Sequence, residues 1–453
     1  MRRCFALVGF CLLVHTNVLA ALWSPDSTAG TWGPEGGQVT WSLKKHGLTW
    51  ETPHAQITLD PLFSIRGLSG PPQSMISSTV QGLDNLRGAQ FHATLDGAWK
   101  VSGSLEEYQG IPTAMDAYWM AENGSDPSTI AVPGWGRAKT LGAINGVDVA
   151  RARSSMAYAK GIGDDDSLTA RIAYAPIQWG QLPRALTLDG GAASYPSATV
   201  AWSHGPSFRL AGTMARWVGT ERSTLGGSTE SLFRQIQAGW VQAEWQPATS
   251  MSFGTLIGSS VPIRWTDEEL NDSSEVGQFQ PMASVVASWN PSSWSGNVAA
   301  EWSLTQGWGI AAGAPLSSSI YGFLSVSQTK APNRWHTNAG TPVSAAFNPS
   351  WTANPDATQW WLEGGAAWQQ DRWNASVHIR QSWANYWVEA MAGYLVQKTW
   401  PLYVSAGMEA WQVQDHPWLT PHGTRFRVGV SHALSLGAGQ KSMVHCMQQS
   451  TRP

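Results

Sequence analysis

The residues best placed to do chemistry in this chain are arginines. The stretch DVARARSSMAYAK, residues 148–160, alternates Val149, Arg151, Arg153 and Ser155 with Ala150, Ala152, Met156 and Tyr158. In an extended chain the two sets face opposite ways, so both guanidiniums share one side with a small polar neighbour. His378 and Arg380 share a side in the same manner within WNASVHIRQS, residues 373–382. A guanidinium so placed either screens an anionic solute or pairs with a carboxylate of the same wall. A third set, Trp179, Arg184 and Tyr195, lies in IQWGQLPRALTLDGGAASYP, residues 177–196. There Arg184 is the only cation and Asp189 the only acid. Either the two brace one another, or Arg184 binds an acidic sugar or another anion.

Catalytic arrangements are absent from the rest. The chain has no H-E-x-x-H, no Walker loop, no G-x-S-x-G elbow and no Cys/His cluster. Glu106 and Glu107 are adjacent on an extended run, so they point to opposite faces and cannot act as an acid–base pair. Asp164, Asp165 and Asp166 sit in a short connection and read as a solvated turn. The expectation is a protein that is not an enzyme and carries no metal or cofactor.

Period-2 alternation governs the elements that must hold these residues. Phe91, Ala93, Leu95, Gly97, Trp99 and Val101 alternate with His92, Thr94, Asp96, Ala98, Lys100 and Ser102. Trp373, Ala375, Val377 and Ile379 alternate with Asn374, Ser376, His378 and Arg380, and Phe426, Val428 and Val430 with Arg425, Arg427 and Gly429. Connections alternate in length. Short ones fall at 96–97, 161–166, 203–207, 246–250, 290–295, 369–373 and 398–401. Long ones fall at 66–88, 109–147, 177–196, 219–230, 260–279, 330–356 and 413–423. Tight turns on one side and long loops on the other describe a transmembrane barrel, and no fixed period marks a propeller.

The expected fold is therefore all-β, a transmembrane antiparallel up-and-down β-barrel of about 18 strands, within a range of 14–20. Short turns belong to the periplasm and long loops to the outer side. Among 28 tryptophans, Trp289, Trp302, Trp308, Trp360, Trp387 and Trp411 stand near strand ends, where an interfacial girdle or core packing would use them.

Arg2 and Arg3 precede an apolar run that ends before a small-residue site at Val18-Leu19-Ala20, as in a secretory signal peptide. The reading divides the chain into a signal peptide (1–20), a periplasmic segment (21–37), the barrel (38–436) and a polar tail (437–453). Removing the signal leaves Cys446 as the one thiol, which excludes an internal disulfide. The formal charge of −3 and a charged fraction of 13% exclude a nucleic-acid partner. The expected location is the outer membrane of a bacterium, with its lipid as the first partner.

Taken in order, LDPLFSIRGL, NLRGAQFHATLDGAWKVSGSLEEYQGIP, VPGWGRAK, DVARARSSMAYA and ASYPSATVAW resemble Bacteroidota outer-membrane proteins grouped with the capsule-assembly Wzi family and related gliding-motility barrels. Arg184-Ala185-Leu186 stands where those chains carry Arg-Ser-Leu, Leu188-Asp189-Gly190 where they carry Leu-Ser-Asp, and Tyr195-Pro196 matches directly. Residues 56–218 carry the resemblance. It departs in APIQWGQLP, which lacks the family's basic residue and glycine pair.

The resemblance implies a role in assembling or attaching surface polysaccharide. A porin-like channel for small solutes, or a gliding or adhesion component that binds an envelope protein, stand as alternatives. Trp179, Arg184 and Tyr195 are the candidate ligand contacts, and Arg151, Arg153, His378 and Arg380 the candidate lumen residues. Gly180, Pro183, Gly190 and Gly191 permit a compact loop that could tuck into the barrel mouth.

Overall fold

A computed structural model describes residues 48–52, 54–70, 80–111, 113–114, 130–132, 135–141, 146–182, 185–188, 194–222, 233–262, 279–290, 296–304, 307–330, 358–382, 385–397, 402–413 and 422–432. The expected signal peptide, the 21–37 segment and the 437–453 tail with Cys446 lie outside them.

The described residues form 21 strands: β1 (Leu48–Thr52), β2 (Ala55–Gly70), β3 (Val80–Leu95), β4 (Trp99–Gly110), β5 (Ile130–Val132), β6 (Gly136–Leu141), β7 (Gly146–Gly161), β8 (Asp166–Tyr174), β9 (Pro196–His204), β10 (Phe208–Arg222), β11 (Phe233–Ala248), β12 (Met251–Pro262), β13 (Gln280–Trp289), β14 (Asn297–Ser303), β15 (Gly307–Pro315), β16 (Ile320–Lys330), β17 (Thr358–Gln370), β18 (Trp373–Ser382), β19 (Asn385–Gln397), β20 (Leu402–Gln412) and β21 (His422–His432).

Eighteen of them close a ring. Each pairs antiparallel with the next in sequence, except that β4 pairs with β7, and β21 returns to β2 with Arg66 opposite Gly429. Closure leaves no open edge, which is what a sheet needs where no water can satisfy its backbone. β1 folds back on the start of β2, and the β5–β6 hairpin extends the sheet beside the first residues of β7, so these three are not staves. β15, near Trp308, is a full stave.

Inside and outside follow from the alternation. In β9, Ser197, Thr199, Ala201 and Ser203 are buried, while Pro196, Ala198, Val200, Trp202 and His204 are exposed. The same inversion repeats around the ring. Val241, Ile257, Val285, Ile310, Leu324 and Val428 are exposed outward, while Ser102, Glu244, Ser284, Glu301, Glu409 and Arg425 are buried inward. An apolar outer wall with a polar interior is stable when hydrocarbon, not water, bathes the outside. In β18, Ile379 is exposed, Ala375 and Val377 are half-buried, and His378 and Arg380 are buried.

Turns divide by side. Connections 96–98, 162–165, 205–207, 249–250, 316–319 and 371–372 are tight. The first is a hairpin in which Asp96 and Gly97 both have positive φ, the geometry an Asp-Gly pair favours. On the opposite side 175–195, 263–279 and 331–357 are long. Two connections depart from the expected pattern there, 304–306 and 383–384, which are as tight as those of the other side. Exposed aromatics stand at both ends: at the tight-turn end Trp99 packs on Tyr158, Trp202 on Phe208, Trp245 on Phe253 and Trp373 on Tyr394, and at the other end Tyr174, Trp302, Trp360 and Tyr386 are exposed.

Candidate functional site inside the barrel

The connection from β8 to β9 folds into the ring. Ala175, Ile177, Trp179, Leu182, Ala185, Leu186, Leu188 and Tyr195 are each at most 3% exposed. Hydrogen bonds between its own ends shape the segment. Ala175 N–H donates to the Tyr195 carbonyl (3.1 Å), and Trp179 N–H to that of Leu188 (2.9 Å). Ile177 N–H donates to the Tyr195 hydroxyl (3.0 Å). The apolar side chains then bury against the inner faces of β9–β13, where Ala201, Ala211, Trp217, Trp240, Leu256 and Val286 complete one cluster. Leu182 and Leu186 form a second with Ala299 and Ala311 on β14 and β15.

The wall is cut to receive this loop. A Cβ on Gly254 would lie 2.8 Å from the Trp179 ring, and one on Gly309 would lie 2.9 Å from Leu182. Gly180 supplies a positive φ of 80° where the chain turns beneath Val286. Polar latches complete the seat. The Trp179 indole donates to Ser284 Oγ (3.1 Å), and both carboxylate oxygens of Glu301 accept main-chain N–H groups, from Leu186 (2.8 Å) and Thr187 (2.9 Å). A carboxylate holding two such donors makes charge-assisted bonds stronger than neutral ones.

A shorter segment enters from the far wall. Ile111 N–H donates to Asp84 Oδ1 (2.8 Å), and Ala114 N–H to Glu409 Oε1 (3.3 Å). Their carboxylates also hold arginines: Arg66 lies 3.6 Å from Asp84, and Arg425 and Arg427 lie 3.1 and 3.4 Å from Glu409. The inner wall thus has two characters. On β9–β15 alanine, tryptophan and leucine meet the loop, beside the ion pair of Arg209 with Glu244 (3.0 Å), while β17–β21 and β2–β7 carry further ion pairs.

The candidate residues distribute as follows. Arg151 is buried and bonded to Glu106 (2.6 Å), with the Trp135 ring 4.1 Å beneath its guanidinium. Arg380 and His378 share Glu363 at 2.9 and 2.7 Å, and Arg380 lies over Trp387. Arg153 lies on the same inward face of β7, half-buried. Trp179 and Tyr195 come together at the base of the in-folded loop, each 2% exposed, so their rings pack against the wall and offer no open stacking surface. Arg184 and its possible brace Asp189 lie outside the described residues.

The sequence reading did not single out Glu301, Ser284, Gly254 or Gly309. Alternation alone would have placed Glu301 inward with Ala299 and Ser303. Trp387 and Trp411, grouped by sequence with strand-end tryptophans, are buried inside the ring.

No family model and no curated protein matches the chain. Among solved structures, Wzi of Escherichia coli, an outer-membrane protein involved in group 1 capsule assembly and described as a carbohydrate-binding β-barrel, shares 9% identity at a TM-score of 0.47, covering 92% of this chain and 98% of that one. The outer-membrane channel DcaP of Acinetobacter baumannii shares 11% identity at a TM-score of 0.42, covering 84% and 99%. A closed ring of 18 antiparallel strands, apolar outside and polar within, is a barrel of the bacterial outer membrane. The Bacteroidota and gliding-motility part of the resemblance finds no support in these comparisons.

Proposed function

We propose that this barrel serves surface-polysaccharide assembly or attachment at its outer face, with a lumen that does not conduct at rest. One observation carries the reading. A ring of 18 strands is wide enough to leave an aqueous channel, yet inward side chains such as Thr58, Ser104, Thr199, Ser284, Glu409 and Ser431 are less than a tenth exposed. A filled bore moves the work of the molecule to its rim. On this reading Arg184 is the ligand contact of the 177–196 loop, and Trp179 and Tyr195 anchor that loop to the wall. The domain limits 1–20, 21–37, 38–436 and 437–453 belong to the same proposal.

A second reading, a conduit for small solutes gated by the loop, is favoured by the latch itself. Glu301 and Ser284 hold the loop through three hydrogen bonds, and breaking them would free a path beside the charged wall. Removing residues 180–191 separates the two. An attachment protein loses surface glycan with little change of conductance in planar bilayers, whereas a gated conduit conducts more and keeps its glycan. If neither quantity moves, both readings fail and the loop only fills space.

A further inference from the structure

The inner arginines differ in how they are held. Arg66, Arg151, Arg209, Arg380, Arg425 and Arg427 each face a carboxylate within 4 Å. Arg153 does not. Its Nε is buried without a hydrogen-bond partner, and no ion pair or hydrogen bond to its guanidinium occurs among the described residues. Desolvating a charged donor without an acceptor is costly, so an unpaired group of this kind marks a place for an ion or solute.

The surroundings fit an anion. The one carboxylate nearby on the facing strand, Glu106, already serves Arg151 and accepts from Ser104 (3.0 Å). Ser104 is the residue that faces Arg153 across the β4–β7 ladder. One step further, Ser102 and Ser155 share a hydrogen bond (2.9 Å). Unlike Arg151, Arg153 keeps part of its surface open.

We propose that Arg153 is the centre of an oxyanion site on the inner wall of β7, selecting a carboxylate or sulfate group. A planar guanidinium accepts such groups with two parallel bonds, and its charge is permanent. The site is independent of whether the outer rim binds glycan, because it lies within the ring.

The test uses the full-length barrel in detergent at constant ionic strength, titrated with sodium sulfate, sodium galacturonate or neutral galactose. Binding to the folded state alone raises the thermal midpoint in a saturable manner. Sulfate and galacturonate should both raise it, and galactose should not. A rise with sulfate alone assigns an inorganic ion, and one with galacturonate alone a sugar acid. Arg153→Gln should abolish the rise, Arg153→Lys should weaken it about tenfold or more, and Lys160→Gln, which removes an equal charge from an exposed position, should leave it intact. Heat-modifiable gel mobility verifies that each variant has folded. A wild-type protein without a saturable rise, a rise that survives Arg153→Gln, or one lost equally in Lys160→Gln overturns the site.

Discussion

Gly254 is the most direct test of the seated loop. A Cβ there would stand 2.8 Å from both the Trp179 ring and a Val286 methyl, closer than packed carbons come. Gly254→Val therefore forces the indole from its seat, at an overpacking cost of about 1–3 kcal/mol. At about 1.4 kcal/mol per tenfold, the unseated fraction should rise roughly 5- to 150-fold. Trp179→Ala should act more strongly, by about 3–5 kcal/mol, because it empties the seat and removes the donor to Ser284. The assay is the labelling rate of a cysteine at Leu186, buried in the native loop, by a bulky impermeant maleimide in a Cys446→Ser background. In the double variant the alanine removes the atoms that the valine strikes, so the combined effect should fall short of the sum by about 1–2 kcal/mol. Strict additivity, or a labelling rate untouched by Gly254→Val, would refute the seat.

Three further outcomes follow. Glu301→Gln leaves one of the two main-chain N–H donors without an acceptor and removes the charge, so the same labelling should show about 1–3 kcal/mol of loop loosening. Glu363→Ala strands Arg380 and His378 without their shared carboxylate, and chemical unfolding should register a loss of about 3–5 kcal/mol. Val377→Arg puts a charge on the outer wall and should cost about 2–4 kcal/mol if that position lies near the bilayer midplane, read from reversible unfolding in lipid. A loss below 1 kcal/mol there would place residue 377 near an interface or off the lipid face.

Alternation made the wall legible. A two-residue period with serine, threonine, arginine and glutamate on one face needs only local sequence to be read, and it gave strands, sidedness and approximate number. The loop's inward fold could be suspected from its glycines and proline. Its seat could not, because Trp179 meets Ser284 and Leu186 meets Glu301 across more than a hundred residues of chain. Parity would have sorted the tryptophans better than their distance from strand ends. Trp387 alternates in phase with Asn385, so it faces inward with that buried residue. The pairing of Arg151 with Glu106 was one of two open options, and only the register of β4 against β7 decides it.

The seam between β2 and β21 has a consequence for how the molecule is made. Arg66 must find Gly429 across nearly the whole length of the ring, so this pairing carries the largest loop-closure entropy of the described strand pairs. Until it forms, β21 and the part of β2 beyond β1 are bare edges, able to recruit any extended strand. The in-folded loop complicates this moment, because its seat spans β9–β15 and the ring must shut around it. Biogenesis is thereby ordered: a nascent barrel that closes early shuts its own loop outside, and one that closes late stays exposed to its neighbours. A chain ending before His422 could never resolve that choice, and it should be found in the periplasm as a substrate of proteases rather than in the membrane.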